Sequence, residues 1–73
     1  MTLTGKQELA LQLAKTAVQD WRQEQARAAD GLAHSRTNAV RCLKEAVGAG
    51  VPQTLIAEEC GWARQRVHQL VSE

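Results

Sequence analysis

Seventy-three residues with a formal net charge of +1 bound the problem tightly: one domain, close to the smallest size at which a single core supports itself, and no overall basic coat for nonspecific capture of nucleic acid. Much of the apolar content is alanine and there is no Phe or Tyr, so Trp21 and Trp62 are the two large anchors available to a core. No apolar run reaches membrane-spanning length, and no secretory signal or lipidation motif is read, so Cys42 and Cys60 are expected to be reduced thiols of a cytoplasmic protein.

The first element opens at Thr4, where Gln7 three residues later completes a capping-box pattern. Neither proline nor glycine interrupts Lys6 to Asp30, which predicts a helix of about 25 residues, roughly 37 Å long at the helical rise. Leu11, Ala14, Val18, Trp21 and Ala28 form a heptad-like stripe, widened on one side by Leu9, Leu13 and Ala17. So broad an arc suits a helix gripped from two sides. Residues 1–31 are therefore expected to be a long helix that packs on the rest of the chain and also, through Leu11, Ala14, Val18 and Trp21, on a second copy as a homodimer. The alternative is that the whole stripe packs internally.

Asp30-Gly31 reads as a break, with Ser35 or Thr37 capping a second helix that runs from Asn38 and buries Ala39, Val40, Leu43, Ala46 and Val47. That helix should end at Gly48 or Gly50. Val51-Pro52 restarts the chain, because proline suits the first turn of a helix and pushes its predecessor out of helical geometry. Alternating β-branched runs and hairpin turns are missing, so the fold class is all-α.

The segment Gln53–Val71, QTLIAEECGWARQRVHQLV, carries the most information. Leu55 and Ile56 bury one side of a short helix, and Ala57 stands where two helix axes must approach closely. Gly61, four residues later, supplies a positive φ for a tight turn. Val67 and Leu70, flanked by Val71, then close over Ile56 and Ala57 from a second helix at residues 63–72. The opposite face carries Arg64, Gln65, His68 and Gln69, with Arg66 on its flank, and no core wants such a face.

In Gln53, Ile56-Ala57, Gly61, Val67 and Leu70 the segment resembles the helix-turn-helix of small bacterial and phage DNA-binding proteins, including region four of sigma factors; its Arg-Gln-Arg-Val-His-Gln-Leu tail is similar to the recognition helix of many small regulators from high-GC genomes. Two positions depart from the pattern. Ala63 stands where Ser or Thr often caps the second helix, and Trp62 occupies a turn position that usually holds a smaller aliphatic residue. The resemblance implies a three-helix DNA-binding domain over residues 32–73 without a β-wing. It also implies a recognition helix lying in the major groove of double-stranded DNA, and a role in transcription regulation in a bacterium or bacteriophage. Arg64 and Gln65 would read base edges, with His68 and Gln69 beside them. Arg66, Arg41 and Lys44, with Gln53 and Thr54 at the amino end of the first motif helix, would meet the phosphate backbone. For His68 and Lys44 the plain alternative is a solvated side chain.

No catalytic constellation assembles from this sequence. The carboxylates are scattered, Ser35 and Ser72 lack a base, His34 and His68 lack an acidic partner, and Gly48-Ala49-Gly50 is too short for a phosphate loop. His34, Cys42, Cys60 and His68 have no recognised zinc-ligand spacing, so neither metal nor cofactor is expected. The contrasting functional reading is a helical adaptor that binds a host or partner protein through the N-terminal helix and Trp62, with the helix pair as scaffold.

Overall fold

A computed structural model of the protein describes residues 2–27 and 32–73. It contains four helices and, among the described residues, no strand: α1 Gly5–Arg27, α2 Leu32–Gly48, α3 Gln53–Cys60 and α4 Arg64–Val71. Among the described residues no helix is long and apolar enough to cross a membrane.

The 23 residues of α1 correspond to about 35 Å at the helical rise, close to the 38 Å longest dimension of the molecule. Its start is the expected capping box. The Thr4 amide donates to Gln7 Oε1 at 2.9 Å and the Gln7 amide donates to Thr4 Oγ1 at 3.2 Å, so two otherwise unpaired amide groups are satisfied reciprocally. Gln7 does more than cap. Its Nε2 donates across the fold to the carbonyl of Ala49 at 3.1 Å, tying the start of α1 to the end of α2.

The stripe on α1 is spent inside the subunit. Leu11, Ala14, Ala17, Val18 and Trp21 are all buried, Val18 to 1% and Trp21 to 4% exposure, in one cluster with Ala39, Val40, Leu43 and Ala46 of α2, Ile56 and Ala57 of α3, and Val67 and Leu70 of α4. The expected dimer seam through Leu11, Ala14, Val18 and Trp21 is thus corrected: those side chains are core within the subunit, where α1 makes its most extensive contact with α2. Leu9 and Leu13, expected to widen the stripe, are instead 62% and 51% exposed. Alanines at 14, 39 and 46 have no exposed surface, and such small side chains let helix axes approach closely. A boundary at residue 31 separates α1 from the helices it packs on, not one core from another. Ala28 and the expected break at Asp30-Gly31 lie outside the described residues.

The second helix starts earlier than its sequence signals. It begins at Leu32, so Ser35 and Thr37 lie within it and neither is its cap; residues that favour caps also occur inside helices where packing further along holds the segment helical. Its end is as anticipated. The Val51 amide donates to the Ala46 carbonyl at 3.1 Å and the Gly50 amide to the Val47 carbonyl at 3.0 Å around Gly50 at φ +97, the paired hydrogen bonds of a Schellman motif. A Cβ at Gly50 would also stand 2.8 Å from Gln7 Nε2.

Candidate nucleic-acid interface

The same closure recurs at the end of α3, and it sets the geometry of the site. The Trp62 amide donates to the Ala57 carbonyl at 2.8 Å and the Gly61 amide to the Glu58 carbonyl at 3.2 Å, with Gly61 at φ +72. Glycine takes this left-handed geometry at no steric cost. Three residues later α4 begins at Arg64, with Ala63 as its N-cap and no side-chain cap bond, in keeping with the missing Ser or Thr. Ile56 and Ala57 on α3 and Val67 and Leu70 on α4 are buried together.

With Val67 and Leu70 pointing inward, the remaining residues of α4 take up fixed directions at about 100° per residue. Gln65, His68 and Gln69 project away from the core, and Arg64 and Arg66 stand on opposite flanks; all five are exposed. None of the described residues provides the side chains of Arg64, Gln65, His68 or Gln69 with a hydrogen-bond or ion-pair partner. α4 carries no carboxylate, so its outward face presents donors and positive charge without an internal counter-ion.

Arg66 behaves differently. Its guanidinium lies 5.8 Å from the Trp21 ring centroid and 5.6 Å from that of Trp62. The two indoles meet edge to face, 6.0 Å apart at 81°, a favoured aromatic geometry. Trp62 is half-buried and leans on Trp21. Arg36 of α2 stands 5.9 Å from Trp21 and Arg22 of α1 stands 5.2 Å from Trp62. Three arginines from three helices thus converge on two indoles, each placed for a cation–π contact. Arg22 was not singled out by sequence reasoning and no local pattern marks it; Arg36 stands out in the sequence only as one of the basic residues of the second half, with Arg41, Lys44, Arg64 and Arg66.

Arg22 has a second task. It donates from Nη2 to the carbonyl of Cys60, the last residue of α3, satisfying a helix-end acceptor and opposing the negative end of the helix dipole. Lys15 pairs with Glu59 at 3.2 Å. Together they anchor the end of α3 to α1, and hence the turn that aims α4.

The expected phosphate contacts are dispersed. Gln53, half-buried, and Thr54, exposed, open α3. On α2, Arg41 is exposed and held by its own helix, donating from Nη2 to Asn38 Oδ1 at 2.7 Å, with Nη1 3.4 Å from Glu45. Lys44 donates from Nζ to the backbone carbonyl of Glu73 at 2.6 Å. Arg36 contributes two hydrogen bonds to the Glu73 carboxylate, 2.7 Å and 2.5 Å long, which raise the affinity of the guanidinium for its proton and hold the Glu73 carboxyl below the usual carboxylate range. Cys42 and Cys60 are buried, which pushes both thiols up and away from reactivity. Among the described residues no group of three His, Cys, Asp or Glu side chains gathers for a metal. Comparison with protein-family models, curated proteins and solved structures finds no match to the chain.

Proposed function

We propose that the chain binds double-stranded DNA through a helix-turn-helix formed by α3, the Gly61 turn and α4, with α4 lying in the major groove, and that it serves as a small bacterial or phage regulator. The observation that carries this reading is the outward face of α4: Arg64, Gln65, His68 and Gln69 have no partner within the described residues, α4 has no carboxylate, and the helix is braced from behind by a buried contact with α3. Forked donors and amides held on a fixed helix are the side chains that read base edges, arginine on guanine and glutamine on adenine. The formal net charge of +1 predicts weak nonspecific binding, and therefore a modest dependence on salt. With Leu11, Ala14, Val18 and Trp21 inside the subunit, this reading requires no dimer through that stripe.

Fluorescence anisotropy with unrelated duplexes at two salt concentrations tests the reading. Binding at low salt that weakens on raising the salt is expected, and a flat response with every duplex at low salt removes it. One observation favours the adaptor alternative: Leu9 and Leu13, four residues apart on α1, are exposed, as a helix offered to a partner protein would have them. Replacing both with serine separates the two readings, since DNA binding through α4 should be unchanged.

A further inference from the structure

The carboxylate of Glu73 lies among more positive charge than it can neutralise. Arg36 holds both of its oxygens, Lys44 holds its backbone carbonyl, and Arg66 contributes attraction from α4. Arg36 and Arg66 are brought together by the Trp21 ring, which both guanidiniums approach within 6 Å. Arg36, Arg41 and Lys44 line one open hollow of about 480 Å3 between α2 and Glu73, where Glu45 is the other carboxylate. The result is four cations drawn from two helices against two side-chain carboxylates. One of those carboxylates, Glu73, sits just past the end of the helix assigned to the major groove.

Arg36 reaches both oxygens of the Glu73 carboxylate from Nη2, and Lys44 reaches the backbone carbonyl of the same residue; a guanidinium and an ammonium brought together in this way are the partners with which proteins hold a phosphate. We propose that Arg36, Lys44 and Arg66 form a seat for one phosphodiester of the duplex backbone, and that Glu73 occupies this seat in the free protein. The proposal rests on the DNA-binding reading above and adds to it a backbone contact and an internal competitor. Glu73 lowers duplex affinity because binding must first displace it, and it suppresses the cation release that an additional phosphate contact would give. The seat also explains a division of labour on α4: Arg66 is turned toward the indoles, to the backbone side, while Gln65 and His68 remain directed outward for bases.

The test compares the parent, Glu73→Gln, the double variant Glu73→Gln with Arg36→Gln, and Glu8→Gln, which makes the same charge change at an exposed position in the first turn of α1. Each is titrated with one duplex over a range of salt, with circular dichroism as the check on folding. Glu73→Gln should bind about three- to tenfold more tightly at low salt, with a slope of log affinity against log salt steeper by about 0.9, the value for one additional phosphate neutralised. The double variant should lose the gain and the added slope. If the parent binds and Glu73→Gln matches it in affinity and slope, the seat is wrong and the DNA-binding reading stands. A gain of the same size from Glu8→Gln also overturns the seat, since bulk charge would then account for it. Absence of duplex binding by the parent and by Glu73→Gln at low salt overturns both readings. Titration with inorganic phosphate at constant ionic strength, followed through the fluorescence of Trp21 and Trp62, distinguishes a free anion from the backbone: a response to phosphate with no change toward duplex overturns the backbone assignment.

Discussion

The outward face of α4 and the indole cluster behind it both use arginine, and they use it in opposite ways. Arg64 projects from its helix without a partner, whereas Arg22, Arg36 and Arg66 lie against Trp21 and Trp62, with Arg22 also on the Cys60 carbonyl and Arg36 on Glu73. A cation already engaged inside a subunit contributes to packing and to the position of its helix. A free one is available to a ligand. Counting basic residues therefore says little about a small, nearly neutral protein, and the inventory of partners says more.

The comparison breaks most completely at the indoles. Trp21→Ala removes a side chain that is 4% exposed and the ring on which Arg36, Arg66 and Trp62 all lean, and should cost about 3–5 kcal/mol. For a domain of this size that is a large share of a total of about 5–15 kcal/mol, so urea unfolding should show a much reduced midpoint or no folded baseline. A midpoint within experimental error of the parent would show that the cluster does not hold the helices together.

The turn between the two regions comes next. Gly61→Val places a β-branched residue at φ +72; the nearest side-chain atoms lie 3.8 Å or more from the new Cβ, so the cost is conformational and not a clash. About 2 kcal/mol of lost stability is expected. A thermal melt at or above that of the parent would contradict the role given to the turn.

Arg64→Ala and Arg66→Ala should lose different properties. Arg64→Ala should leave the melting curve unchanged and weaken duplex binding by about 1–3 kcal/mol, with the loss concentrated on the preferred duplex. Arg66→Ala should lower stability by about 0.5–1 kcal/mol through lost contact with the indoles and weaken binding to all duplexes alike. If the two variants lose the same property to the same extent, the division between a reading face and a packed face is wrong.

Much of the architecture was legible because its signals are local. The Thr4/Gln7 capping box, the glycine endings of α2 and α3, the restart at Pro52 and the spacing of Ile56, Ala57, Val67 and Leu70 each act within a turn or two of helix. The start of α2 was misplaced by the same local logic, since Ser35 and Thr37 resemble caps and lie inside the helix.

By itself the sequence determined that the chain is all-helical, where α3 and α4 run, and that Gly61 turns between them, because hydrophobic period and backbone freedom belong to neighbouring residues. Only the tertiary structure decided which apolar face of α1 is core and which cations are engaged. Gln7 reaches Ala49, Arg22 reaches Cys60 and Arg36 reaches Glu73 across 42, 38 and 37 residues respectively. Such pairings have no period in the chain; they exist once helix packing has brought the ends of different helices together, and packing also determines that Leu11 is enclosed while Leu9, two residues away on the same helix, faces outward.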